Sequence, residues 1–413
     1  MNPLLVSGFG TSISVEKRRL VIQNRLKNEK LEFYPHHIEH DSVIVDGHTG
    51  SITFESMRWL LKHDIALALL NWNGNLLGIT LPQEPKIGKL RVAQYQKYLD
   101  DTIRFKIALE FVNSKVTCTC NLLEELARFY SALDISQIKS EFDREIAVYD
   151  SGLRDENNAI LTRLKKLMIF EGRIAQIHLE QFKKIVAELA PQFRFISRMN
   201  KSNSWNTNAS DEINALLNYG YAVLESLVRK ALNAVGFDPA IGFLHEVAQS
   251  KTPLVYDFQE LFRWIIDYSV IQILDENRLS KADFIVTENY HIRLRESTAK
   301  LLVEKITNNF NNKAPFRGKN YAYDLILLYK AQEFANYISG KNSKLDLSIP
   351  ELKITDDDTL ELKRKIMKMT PDQRKRLGIN KSTLWYMKKN IADGKNIKVY
   401  DKILSKLDLE EYD

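Results

Sequence analysis

The sequence has little cysteine, glycine or proline: two Cys, 16 Gly and 10 Pro in 413 residues. That balance excludes collagen-like and low-complexity scaffolds, and 44% hydrophobic against 27% charged residues is the mix of an ordinary globular chain. Cys118 and Cys120 make a single C-x-C pair. One pair cannot build a disulfide framework, and without a second pair it is a poor zinc site, so a reducing, cytoplasmic setting is expected. Long apolar runs are missing too. The longest, Ile65–Leu70, falls far short of the roughly 20 residues that a membrane span needs. The opening MNPLLVSGFG has no cationic stretch ahead of an apolar one, so a secreted product is not expected.

Common catalytic motifs are absent as well. A phosphate-binding loop around Gly340-Lys341 fails, because Ala335 stands where its first Gly belongs and Asn342 where it needs Ser or Thr. His245-Glu246 begins an H-E-x-x-H zinc motif, but Gln249 occupies the second histidine position. His36, His37 and His40 lie together without a partner carboxylate, and a metal site is not expected there.

What is present divides the chain into parts, and its length predicts two or three domains. Residues 1–91 read as a β-rich domain. Short β-branched and aromatic runs (TSISV, RRLVIQ, DSVIVDG) are interrupted by one helix with Thr53 as its N-cap, and Asn73-Gly74 between two apolar runs predicts a type I′ hairpin. Residues 92–340 carry apolar positions at i, i+3 and i+4 with few breakers, predicting a mostly α-helical domain. Ser210 or Asp211 should cap the helix that ends at Gly236, and SRMNKSNSWNTNASD should be a loop. Residues 341–355 read as a linker. Residues 356–413 read as a small helical domain, in which Thr370-Pro371 opens one helix, Gly378 ends it, and Asn380 starts KSTLWYMKKNIA. The predicted class is therefore α+β.

Positive charge is concentrated in that last part. Between Glu361 and Lys406 there are fourteen Lys/Arg against four acids, a net +10, whereas residues 1–360 carry no net charge. A basic patch on two short helices with a tight turn is the pattern of a helix-turn-helix that binds duplex DNA. Lys381, Ser382, Thr383 and Tyr386 would lie at the groove, with Lys388 and Lys389 towards phosphates.

Three helical segments could carry chemistry. IFEGRIAQIHLEQF sets Glu171 in an apolar face, where a carboxylate needs a cation or hydrogen-bond partner. GFDPAIGFLHE carries His245. LVYDFQELFR places Asp257 and Glu260 three apart on one helical face, with Arg263 three further on. Such an O/O/N set suits Mn²⁺ or Mg²⁺ better than structural Zn²⁺. Each residue also has a plainer reading: Glu171 as solvated, His245 as a core histidine, Asp257 and Glu260 as a surface pair for Arg263 or Lys251.

Taken in order, IFEGRIAQIHLEQF, DEINALLNYGYAVL, GFDPAIGFLHE and LVYDFQELFR resemble the signature segments of the CRISPR spacer integrases, and TFESMRWLLKHDIALALLNWNGNLLG resembles the helix and hairpin of their β domain. The likeness runs from the N-terminus to about residue 340. It implies that Glu171, His245 and Glu260 are metal ligands and catalytic, with Asp257 assisting. It also implies that Asn214, Tyr219 and Tyr221 line the same cleft, the first two touching DNA, and that Lys251 and Arg263 hold phosphates. Phe237 stands where the family commonly has Leu. The basic tail is the larger departure and resembles the casposases, relatives that integrate archaeal transposon-like elements without a partner subunit. The resemblance implies an endonuclease or transposase-type strand transferase that joins donor DNA 3′-hydroxyl ends to a duplex target. It would use Mn²⁺ or Mg²⁺, bind the donor terminal repeats and the target, act as a homo-oligomer on DNA, and associate with the nucleoid. The alternatives are a CRISPR adaptation integrase that needs a partner subunit, and a non-catalytic helix-turn-helix regulator.

Overall fold

The computed structural model describes residues 1–47, 49–71, 74–83, 88–153, 160–198, 209, 211–246, 251–276, 279–287, 291–354, 366 and 369–392. The chain forms one large unit, Met1–Leu274 with Leu279–Leu352, and a small one comprising Asp275–Arg278 and Lys353–Asp413. The class is α+β. No helix among the described residues is long and apolar enough to cross a membrane.

The large unit begins with a β lobe. Strands β1 (Pro3–Val6), β5 (Ser42–Val45), β7 (Ala66–Leu70) and β8 (Leu76–Thr80) form one four-stranded sheet in that order. The other sheet runs β4 (Glu29–Phe33), β3 (Arg19–Asn24), β2 (Thr11–Glu16), β6 (Gly50–Ile52). Helix α1 (Phe54–Lys62) starts where the Thr53 hydroxyl accepts from the Ser56 N–H, as the sequence predicted. Its Trp59 and Leu60 join Val6, Ile13, Leu20, Ile22, Val43 and Leu67 in one buried cluster. Each such side chain contributes about 1.5–3 kcal/mol by leaving water.

The predicted hairpin forms between β7 and β8, but with a longer loop than expected. Asn71 N–H donates to Asn75 O and Gly74 N–H to Asn71 O, so three residues separate the paired Asn71 and Asn75 instead of the two of a type I′ turn, and Asn73 itself lies outside the described residues. The two-residue geometry occurs elsewhere. β11 (Lys313–Phe316) pairs with β12 (Lys319–Ala322), with Arg317 at φ 51° and Gly318 at φ 75° between them. A second hairpin joins β9 (Phe284–Val286) to β10 (Ile292–Leu294).

The helical body comprises α2 (Gly88–Leu99), α3 (Asp101–Ala127), α4 (Ile135–Leu153), α5 (Ile160–Leu189), α6 (Glu212–Val235), α7 (Pro253–Glu260), α8 (Arg263–Glu276), α9 (Glu296–Asn311) and α10 (Tyr323–Ile338). Helix α6 is apolar on nearly every face and is buried accordingly. Asp211 caps its start, and Gly236 at φ 94° ends it. The predicted loop before it falls mostly outside the described residues. Phe237 is fully buried, with its ring 5.1 Å from Phe334; Phe111, Phe243 and Phe258 meet the same ring. The β lobe is fastened to this body by Lys27 on Glu296, by the Lys230 ammonium on Asp41 O at 3.0 Å, and by Tyr219 OH on Asp46 at 3.1 Å.

Residues 341–352, expected as the start of a linker, lie against the helical body instead. Leu345, Leu347, Ile349 and Leu352 are buried. Ser114 donates to Leu347 O, the buried Lys330 ammonium to Asp346 O, and Tyr323 OH to the carbonyls of Pro350 and Glu351. Leucine and isoleucine on the alternating positions of LDLSI give this strap an apolar side, which Leu352 extends.

In the small unit, α11 (Pro371–Arg376) begins with a reciprocal capping box between Thr370 and Gln373, and α12 (Lys381–Ala392) follows a turn through Gly378. Ile366, Met369, Leu377, Ile379, Leu384 and Met387 form its own core.

Candidate active site

Three segments of the helical body bring the predicted residues to one place. The first is α5, which carries Glu171. The second is the loop after α6. Gln94 of α2 holds it, donating to the carbonyls of Asp238 and Ile241 and accepting from the Asp238 N–H at 3.0 Å. Gly242 in this loop allows it to meet α7: a Cβ there would lie 2.6 Å from Pro253. The third is α7, which opens with Pro253 at its first turn, where the missing N–H is not needed.

Asp257 of α7 is fully buried behind that loop. Its carboxylate accepts from the backbone N–H groups of Phe243 (2.6 Å), Leu244 (3.1 Å) and His245 (3.0 Å), and from His245 Nδ1 at 2.7 Å. Asp257 therefore positions His245 and fixes its proton on Nδ1, leaving Nε2 as the lone-pair nitrogen. Burial would lower the His245 pKa, but Asp257, with Glu260 and Glu171 beyond it, outweighs burial and raises it.

Glu260 and Glu171 both face a cation that the sequence reading did not single out, Lys115 of α3. Its ammonium pairs with Glu171 and sits 2.6 Å from Glu260 Oε2. Arg263 takes the other Glu260 oxygen at 2.8 Å. Burial pushes the Glu260 carboxyl up, but Arg263 and Lys115 hold it down at about 2. It is thus ionised at any working pH.

These groups close one end of a cavity of about 370 Å³. The other end holds a second polar group. His178 Nε2 lies 3.0 Å from Asp267 of α8, and Tyr221 OH donates to the same carboxylate at 2.5 Å. The guanidinium groups of Arg263 and Arg198 lie over the Tyr221 ring, at 4.4 and 5.1 Å from its centre. Nothing in the sequence alone singled out His178, Asp267 or Arg198. A signal existed for His178, which lies seven residues after Glu171 on the same helix and hence on nearly the same face.

Other expected residues lie elsewhere. Tyr219 is buried against the β lobe on Asp46, and Asn214 is buried in bonds to Arg198, Ser197 O and Asp211, so of the three residues matched to the cleft only Tyr221 lines the cavity. Lys251 is exposed and is not among the lining residues. On α12, Lys381, Ser382, Tyr386 and Lys389 are exposed and Thr383 is half-buried. Lys388, expected to face phosphates, instead donates to Met369 O at 3.1 Å, because it lies one helical turn past Leu384 on the side of the small core. Trp385, beneath the Lys389 ammonium, is exposed beside Tyr386.

Among the described residues no group of three or more His, Cys, Asp or Glu side chains stands close enough to hold a metal ion. The donor set nonetheless fits a hard divalent cation. Two carboxylates already converge on the positive charge of Lys115, and His245 is oriented by a buried carboxylate in the manner of a metal-bound histidine.

The family model described as CRISPR associated protein Cas1 matches residues 4–308. The chain belongs to the Cas1 family. It is 26% identical over 344 residues to the CRISPR-associated endonuclease Cas1 1 of Archaeoglobus fulgidus, spanning 82% of this chain and 96% of that protein. To the endonuclease Cas1 3 of Thermus thermophilus it is 28% identical, over 68% of this chain and 79% of the relative. Among solved structures, a casposase bound to integration product is 32% identical with a TM-score of 0.75, covering 89% of this chain and 99% of that one. A Cas1 protein from Thermotoga maritima shares the fold at 15% identity, with a TM-score of 0.64 over 85% of this chain and all of that one.

Proposed function

We propose that this Cas1-family protein is a casposase-like DNA integrase, joining the 3′-hydroxyl of a donor end to a phosphodiester of duplex target DNA. What carries the reading is the pair Glu171 and Glu260, converging on one cation beside an Asp257-oriented His245, in a chain 32% identical to a casposase bound to integration product. In the reaction the donor 3′-oxygen forms a bond to the target phosphorus and the target P–O3′ bond breaks. The donor hydroxyl gives up a proton and the displaced target 3′-oxygen gains one. One phosphodiester replaces another, so no ATP is consumed.

Glu171, Glu260 and His245 would hold Mn²⁺ or Mg²⁺, which supplies Lewis-acid stabilisation of charge on the phosphoryl oxygens. The chain's own residues do the positioning. Asp257 fixes His245, Arg263 keeps Glu260 ionised, and Lys115 balances the two glutamates when no other cation is present. A single-stranded donor end would enter the cavity of about 370 Å³. The α11–α12 unit would bind duplex DNA through Lys381, Ser382, Tyr386 and Lys389 as a helix-turn-helix, with Trp385 added to that surface. Insertion of both ends requires two active sites, so a homo-oligomer assembled on DNA is part of the proposal.

The test is a plasmid integration assay with the purified protein alone, a short donor duplex with free 3′-hydroxyls, and Mn²⁺. Donor joined to plasmid by the wild type and not by Glu171→Gln supports the reading. Product formed only after a partner subunit is supplied would move the protein to the CRISPR adaptation integrases. Tight DNA binding without product under either condition would leave a binding protein.

A further inference from the structure

The end of the cavity away from Glu171 has no part in the chemistry just described, yet it is built with care. Arg198 is half-buried there, and its guanidinium is aimed by three groups. Nη1 donates to Asn214 Oδ1 at 2.7 Å, Nη2 to Asn218 Oδ1 at 2.9 Å, and the plane lies over the Tyr221 ring. Asn214 is itself fixed by Asp211, the cap of α6. Amide oxygens orient a guanidinium but do not neutralise it. Among the described residues no carboxylate pairs with Arg198 directly, whereas Lys115 has two and Arg263 has one. A cation drawn out of water with no carboxylate in direct contact is costly to hold, and two bonds leave some of its five donors unused.

His178 stands at the same end. Asp267 holds its Nε2, while Nδ1 is buried without a hydrogen-bond partner. An oriented guanidinium with unused N–H donors at the cavity is complementary to an oxyanion with several acceptor oxygens, and His178 Nδ1 adds a donor when the imidazole carries a proton on each nitrogen. Along α5, His178 is seven residues from Glu171, roughly 10 Å at 1.5 Å per residue. That equals the axial rise of about three nucleotides of a B-form strand at ~3.4 Å each, and spans fewer phosphates if the strand is extended.

We propose that Arg198, with His178, is a receptor for one backbone phosphate of the strand whose 3′ end lies between Glu171 and Glu260, and that it sets how far that strand enters the cavity. This rests on the integrase reading for the identity of the strand. Arg198 and His178 are here positioning residues: they hold the strand and do not touch the reacting phosphorus.

The experiment uses the full chain and donors in which one of the first four phosphates from the reacting end is replaced by a neutral methylphosphonate. For the wild type, one position lowers joined product by about 10- to 100-fold, the worth of a charge-assisted contact. Arg198→Gln loses a similar factor on the unmodified donor and nothing further at that position, and Arg198→Lys recovers part of the loss. Arg198→Gln that keeps the wild-type sensitivity, or a wild type with no sensitive position, overturns the proposal. If Arg198→Gln does not fold by circular dichroism, Arg198→Lys and His178→Asn carry the same comparison. If no donor yields product, the integrase reading fails separately. The receptor is then read from anisotropy of single-stranded oligonucleotides bearing the same substitutions. A position-specific loss that disappears in Arg198→Gln supports it, and equal affinities overturn it. Binding blocked equally by inorganic phosphate and by the oligonucleotide would mark a free-anion site and also overturn it.

Discussion

The helical body and the C-terminal helix pair both concentrate charge, but they treat it in opposite ways. In the body each acid of the site has a named partner: Glu171 and Glu260 on Lys115, Glu260 also on Arg263, Asp257 on the 243–245 loop, Asp267 on His178 and Tyr221. In the small unit Lys375, Arg376, Lys381 and Lys389 are exposed and have no carboxylate partner among the described residues. Buried, opposed charges have fixed geometry and can do chemistry on one bond. Exposed, unopposed charges attract a polyanion at a distance and lose that attraction as salt rises. On the proposed function, this difference would separate catalysis from capture, and each half should be breakable without the other.

The largest effect should come from the catalytic half. Glu171→Gln keeps the shape and removes the charge, so strand transfer should fall on the order of 10³-fold, worth several kcal/mol of transition-state stabilisation, while DNA affinity measured by anisotropy stays within error. Equal loss of both would mean that the two regions are not functionally separate. Next is Lys115→Met, which leaves Glu171 facing a buried Glu260 with only Arg263 to oppose them. Thermal unfolding in chelator should show a loss of about 3 kcal/mol, the usual result of orphaning a buried charge, and Mn²⁺ should restore more stability to this variant than to the wild type. A variant as stable as the wild type in chelator would show that Lys115 is not the counter-charge.

How far the sequence foretold this depended on the range of the interactions. The α+β class, the caps at Thr53, Asp211 and Thr370, and the helix end at Gly236 were legible, because each depends on a few neighbouring residues. The ordered motifs carried the family, and Glu171, His245 and Glu260 lie in or beside one site. Lys115 was not legible: it comes from α3, and only packing of α3 on α5 and α7 brings it between the two glutamates. Asp257 was read as a second acid of the cleft, since i and i+3 share a helical face; burial turned it towards the 243–245 backbone instead. Tyr219 and Asn214 were assigned to the cleft from a motif, but their bonds run to Asp46 and Arg198. Asn73-Gly74 suggested a two-residue turn, and the pairing register of β7 with β8 required a longer one.

Deleting residues 353–413 tests the capture half. Binding of duplex DNA should weaken by about 10-fold or more at 150 mM salt, and the dependence of affinity on salt should become shallower, since fewer phosphates are neutralised. Residual joining of a donor at high concentration should survive. Unchanged affinity and slope would place capture in the body.

The smallest effect concerns the join between the β lobe and the body. Burial raises the Asp46 carboxyl to about 6, although Tyr219 and Arg293 favour its charge. The unfolded chain should titrate near 3.8. The folded protein thus binds the proton more tightly, so its stability is highest below about 4 as far as this group is concerned, and falls as pH rises through 6. The loss is of order 3 kcal/mol and is complete by neutral pH. Asp46→Asn removes the titration. Its unfolding temperature should exceed that of the wild type at pH 8 and the advantage should shrink to about a third at pH 4.5, whereas a constant difference across that range would mean that Asp46 is solvated and the join is set by packing alone.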